Sequence, residues 1–253
     1  MNFNLNNWQT IFREGFEVIS KKNSNNETNK PGEKASTGSE KQYERIQNIG
    51  SVIAGDKGKK IYCLTIIGQI EGHNYLPSEN KTTKYEHVIP ELVAIEQDPE
   101  IKGLLLLLNT VGGDIEAGLA IAELIAGMSK PTVSMVIGGG HSIGVPLAVC
   151  ADKSFIAKSA TMTIHPVRTN GMTLGTQQSF EYFRKMQERI ANFVVENSKI
   201  SKERFYKLCM NTEELSLDIG TVVEGKDAVK EGLIDKCGTL REAIDCLYKI
   251  SKK

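Results

Sequence analysis

At 253 residues, with 31 Lys+Arg balancing 31 Asp+Glu, the chain has no net field to gather nucleic acid or an anionic lipid surface. Its length and 40% hydrophobic content admit one large α/β domain or two small ones. The five cysteines, Cys63, Cys150, Cys209, Cys237 and Cys246, are scattered without a CxxC pair, which argues against a disulfide framework or a zinc cage and suits reduced thiols in the cytoplasm.

The opening residues lack the basic and apolar regions of a secretory signal. Trp8, Ile11, Phe12, Phe16 and Ile19 recur at helical spacing, which predicts an amphipathic helix over 1–20. Such a face can dock a partner, lie on a membrane or cover the chain's own domain. Residues 21–47 carry almost no apolar side chains, so burial cannot offset their ordering entropy and a disordered linker is expected. From 48 to 253 the pattern is one domain of alternating strands and helices. Strands are expected at 60–67, 103–109, 131–137, 154–157 and 161–165. Helices are expected at 85–96, 114–128, 142–151, 175–196, 202–209, 226–231 and 239–250. The most apolar run, Leu104 to Leu108, is too short to cross a bilayer as a helix and reads as a buried strand. Strands joined by helical crossovers give an α/β fold with a mostly parallel sheet covered on both faces.

Three segments stand where such strands end, the usual place for a site in an open α/β sheet. In Asn109-Thr110-Val111-Gly112-Gly113-Asp114, paired glycines before a helix start let backbone N–H groups approach a ligand. The segment can form an oxyanion hole or a phosphate cradle, or be only a turn. In Gly138-Gly139-Gly140-His141-Ser142-Ile143-Gly144, small residues around a serine permit a tight strand-to-helix turn that exposes its hydroxyl, with the Ile143 N–H beside it. Ser142 serves equally as a helix N-cap. In Thr163-Ile164-His165-Pro166, His165 closes a strand and is of a type that accepts a hydroxyl proton near neutral pH. His141 is a competitor for that part, but its side chain should point away from that of Ser142.

Together these segments resemble the Clp protease proteolytic subunit family, over residues 59 to 236. Lys60-Ile61-Tyr62-Cys63-Leu64 through Gly68-Gln69-Ile70 is similar to the family's first strand and glycine turn. Asn109-Thr110-Val111-Gly112-Gly113 looks like its Asn-Ser-Pro-Gly-Gly, and Gly138–Gly144 like its Gly-x-Ala-x-Ser-Met-Gly. Thr163-Ile164-His165 resembles the segment with the family's catalytic histidine, and Ala228 to Asp235 its Ala-x-x-Tyr-Gly-Leu-Ile-Asp. The N-terminal tail and Leu217-Asp218-Ile219-Gly220-Thr221-Val222 look like the family's translocation-enhancing subgroup.

The resemblance implies a Clp protease/crotonase-like fold of repeated β-β-α units with a long protruding helix, and a serine endopeptidase. It gives Ser142 as nucleophile, His165 as general base, and Gly112, Gly113 and Ile143 as oxyanion-hole amides. The third triad member is less plain, because the family's Asp-Thr-x-Arg-Asp segment is not kept. Asp218 is the nearest carboxylate, with Asn211 as the other choice. No metal or other cofactor is called for. The implied partners are a polypeptide substrate, further copies in a ring stacked through residues 175–196, and a separate ATPase unfoldase. No nucleic acid is implied, and membrane association stays open. Two other readings compete: a crotonase-like acyl-CoA enzyme, and a silent adaptor on the same scaffold that binds secretion or protease components.

Overall fold

The computed structural model describes residue 46 and residues 50–74, 76–169, 171–213 and 218–252. The helix expected over 1–20 lies outside them, as does the linker expected over 21–47 except for Ile46.

The described residues build a nine-stranded sheet with the path β1-β2-β4-β5-β6-β9. These are Ser51–Ala54, Lys60–Glu71, Ile101–Gly113, Thr132–Gly140, Lys153–Ile156 and Lys236–Cys237. Only β1 runs antiparallel to its neighbour on this path; the other pairings are parallel. Off the path, β3 (Thr82–Lys84) pairs with β2. β7 (Thr161–Ile164) meets β5 at Gly139↔Thr161 and pairs antiparallel with β8 (Thr221–Glu224).

Parallel strands need long crossovers, and helices supply them. The helices of residues 85–250 are α1 (Tyr85–Gln97), α2 (Ile115–Ala126), α3 (Gly144–Val149), α4 (Gln177–Glu196), α5 (Lys202–Cys209), α6 (Gly225–Lys230) and α7 (Leu240–Ile250), the last of them following the final strand. Their starts follow the local chemistry. Asp114, Thr176 and Ser201 cap α2, α4 and α5 with their side chains, and Thr239 with Glu242 forms a reciprocal capping box on α7.

The leucine run explains why β4 is central. Leu104, Leu106 and Leu108 join Leu64, Ile66, Val88, Leu92, Ile121 and Ile125 on the face covered by α1 and α2. Leu105 turns the other way, toward Ile61, Val133, Met135, Phe155 and the α7 residues Ala243 and Leu247. Gly103 lets α7 approach, since a Cβ there would lie 2.7 Å from Leu247 Cδ1. A strand buried on both faces has no polar side to alternate, which is why the run reads as unbroken.

Three expectations need correction. β4 continues through Val111 to Gly113, pairing with β2 at Gln69↔Gly112 and Ile70↔Gly113, so the expected loop after Asn109 is strand. The helix expected from Ser142 starts at Gly144, with Ile143 at the N-cap and no side-chain cap. The short strands β1, β3, β8 and β9 were not expected; each has four residues or fewer, too short a run for a period to show.

Candidate active site

The ends of β4, β5 and β7 converge on one cleft of about 440 Å³. Ser142, His165, Gly112, Gly113 and Ile143 all line it, together with Val111, Val167 and Arg168. Five of the expected site residues therefore share one cavity. Asp218 and Asn211 are not in its lining.

Ser142 has φ +57°, the one described residue other than glycine in the left-handed region. That conformation costs about 1–2 kcal/mol for an L-residue, so the surrounding bonds hold it in place. The Ser142 N–H donates to the Thr163 carbonyl at 2.9 Å, and its carbonyl accepts from Val145 N–H at 3.0 Å. The His141 N–H donates to the Thr110 carbonyl at 3.1 Å. These bonds tie the turn to β7, α3 and β4 respectively. The side chain is left outside the helix, which removes the N-cap reading of Ser142.

Small residues make the turn possible. A Cβ on Gly112 would lie 2.7 Å from Ser142 Cβ and 3.2 Å from its Oγ, so the strand backbone presses on the serine. A Cβ on Gly118 would lie 2.4 Å from Ile143 Cγ1, and one on Gly138 would lie 2.5 Å from Asn109 Oδ1. That Oδ1 accepts the Gly139 N–H at 2.8 Å, joining the ends of β4 and β5. The Gly112 N–H donates to Thr110 Oγ1 at 3.0 Å, so its hydrogen is turned from the cleft. Gly113 and Ile143 remain as the cleft's backbone candidates.

His165 is half-buried at the end of β7. Its Nδ1 lies 2.7 Å from the Pro166 carbonyl. A carbonyl only accepts, so Nδ1 donates there, and Nε2 is left as the basic nitrogen. Burial holds the imidazole below its ordinary 6.5, and the Arg168 charge acts the same way; the Pro166 hydrogen bond and the Asp218 charge oppose them. The imidazole thus favours its neutral form. Among the described residues no hydrogen bond joins Ser142 Oγ to His165 in this state.

The third position differs from the expected hydrogen-bonded triad. Asp218 Oδ2 lies 2.6 Å from Arg168 Nη2, with both side chains about half exposed at 44% and 51%. Asn211 is engaged locally, its Nδ2 donating to Thr221 Oγ1 at 3.2 Å and its Oδ1 accepting from Glu213 N–H at 3.1 Å. Neither side chain bonds His165 here. Gly220 brings the Asp218 segment close all the same, since its Cβ would lie 2.8 Å from His165 Cβ.

His141 does not compete for the serine. Its Nδ1 lies 2.8 Å from Thr163 Oγ1, and its other edge lies over Gly139, where a Cβ would be 2.7 Å from Nε2. Burial and the His165 charge both lower its pKa. Arg168 and Thr163 were missed in the sequence, though His165-Pro166-Val167-Arg168 does place a cation three residues beyond His165. Among the described residues no group of three or more His, Cys, Asp or Glu side chains could hold a metal ion.

A family profile described as Clp protease matches residues 57–241. The translocation-enhancing protein TepA of Halalkalibacterium halodurans is 56% identical over 83% of this chain and 82% of its own length. The ATP-dependent Clp protease proteolytic subunit of Lactococcus lactis subsp. cremoris is 28% identical over 47% of this chain and 63% of its own. That of Streptococcus pneumoniae is 29% identical over 47% and 64%.

Proposed function

The chain belongs to the Clp protease family, and from that premise we propose that it is a serine endopeptidase with Ser142 as nucleophile and His165 as general base. One observation carries the reading: a serine held at φ +57° at a strand-to-helix turn lines the same cleft as a histidine whose Nε2 is left basic. His165 Nε2 takes the hydroxyl proton as Ser142 Oγ attacks a peptide carbonyl. The amides of Gly113 and Ile143 receive the oxyanion, and one such donor is worth about 3–4 kcal/mol to the transition state. His165 then hands its proton to the leaving amine, and water releases the acyl-enzyme.

The Pro166 carbonyl sets the tautomer of His165, a task a triad carboxylate performs elsewhere. A carbonyl stabilises imidazolium less than a carboxylate does. Asp218 is the proposed source of the missing charge. To bond His165 it releases Arg168, and His165 Nδ1 releases Pro166. The Arg168–Asp218 pair is half exposed and so worth no more than about 1 kcal/mol, a small barrier to that exchange.

The substrate is a polypeptide, and the name of the TepA relative supports a place in protein export. Residues 175–196 are proposed to hold copies together in a ring, with a separate ATPase feeding it. No described helix is long and apolar enough to cross a membrane, and with all five cysteines free a cytoplasmic location is proposed. The 48–253 domain boundary and an amphipathic 1–20 segment that docks partners belong to the same proposal.

A second reading has support of its own. Both His165 Nδ1 and Asp218 are partnered elsewhere, as in a silent adaptor. A fluorophosphonate probe separates the two. Labelling of the full chain that disappears in Ser142→Ala supports the peptidase; no labelling between pH 5 and pH 9, with intact folding, overturns it.

A further inference from the structure

The strand that carries His165 has few bonds to the strand that carries Ser142. β7 pairs with β5 only at Gly139↔Thr161, and its remaining ladder is with β8, away from the nucleophile. Two further bonds close the gap, and both end on Thr163. Its carbonyl accepts the Ser142 N–H at 2.9 Å. Its hydroxyl bonds His141 Nδ1 at 2.8 Å. Two residues beyond Thr163, the chain reaches His165.

The His141 backbone is itself fixed from other sides. Its backbone N–H is bound to the Thr110 carbonyl at 3.1 Å, and its carbonyl accepts the Gly144 N–H at 2.8 Å. The ring fills the space where Gly139 lacks a side chain. It is a rigid peg between β5 and β7, and Thr163 grips it.

We propose that Thr163 is a positioning residue whose carbonyl and hydroxyl clamp β7 to the Ser142 turn, with His141 as the peg, so that His165 is set against the nucleophile. This deepens the peptidase reading and rests on it. Beyond the Gly139↔Thr161 pair, the Thr163 carbonyl alone would tie β7 to the Ser142 turn by one bond. The hydroxyl–imidazole contact supplies a second point. Proton transfer needs its groups placed within a few tenths of an ångström, so the lost contact acts on rate rather than on folding.

Thr163→Val keeps the carbonyl and the side-chain volume and removes only the hydroxyl. Thr163→Ser keeps the hydroxyl. The full chain is tested with a fluorophosphonate probe and, in parallel, by amide hydrogen exchange of residues 161–167. Thr163→Val is expected to label Ser142 about tenfold more slowly and to exchange faster over 161–167, with Thr163→Ser close to the parent in both. His141→Phe should lose a similar factor, and the Thr163→Val/His141→Phe double variant no more than either single one, because both remove one interaction. Thr163→Val labelling at the parental rate, or losses that multiply in the double variant, would overturn the proposal. Parental exchange in Thr163→Val refutes the clamp even should the parent take no probe, whereas a parent that takes no probe refutes the peptidase reading whatever the exchange shows.

Discussion

Ser142 stands at odds with its own backbone, and that conflict can be measured. An L-residue at φ +57° is strained by about 1–2 kcal/mol, a cost glycine escapes. Ser142→Gly and Ser142→Ala both lose the hydroxyl, yet only the alanine keeps the strain. The glycine variant is expected to be more stable by about 1 kcal/mol in thermal or urea melts; equal stability would show a relaxed turn. The two histidines give a pH signature. Both are held below 6.5 when folded, so between those lowered values and 6.5 the unfolded chain binds more protons. Stability contributed by their neutral forms is complete above pH 6.5 and is lost as pH falls through the lowered values. The acid limb of Ser142 labelling is expected below 6.5 for the same reason. Arg168→Ala removes a charge that lowers the His165 pKa and frees Asp218, which raises it, so the acid limb should move upward and labelling at pH 5–6 should slow, while labelling at pH 8 should not fall.

Most elements were visible in the sequence because period and caps agree. α5 was expected at 202–209 and is found at Lys202–Cys209, and α7 starts at the Thr239–Glu242 capping box. β4 was legible as a buried strand but not in its extent. Turn chemistry at Gly112 and Gly113 suggests a loop, whereas tertiary pairing with β2 keeps the two in the ladder. The turn at Ser142 was legible by composition, since small residues crowd around it. The grip of Thr163 on His141 was not, because a side-chain contact between positions 22 apart leaves no local pattern. Gly118 on α2 offers a test of how elements position the site. Alanine there would need Ile143 Cγ1, 2.4 Å from the new Cβ, to move. Gly118→Ala is expected to slow labelling by up to about a hundredfold through the displaced Ile143 amide, and a variant with parental labelling would exclude Ile143 as an oxyanion donor. Leu106→Ala in β4 should cost about 2–5 kcal/mol by denaturant titration, as for any fully buried leucine.

At the scale of the whole molecule, α4 is divided. Ala191, Phe193 and Val194 are buried against the core, whereas Phe180 is 68% exposed and Leu174 just before the helix is 69% exposed. The apolar stripe expected over 175–196 is therefore core at one end and uncovered at the other, and an uncovered apolar stretch favours self-association. Phe180→Asp with Leu174→Asp should lower the particle mass by light scattering; an unchanged mass would place the contact between copies elsewhere. The two faces of the sheet differ in when they can be covered. α1 and α2 lie within the first half of the chain, but Leu105, Val133, Met135 and Phe155 await Ala243 and Leu247 of α7. A chain that has already formed the Ser142 turn, β7 and the first face still shows one greasy side until residues 240–250 have joined it.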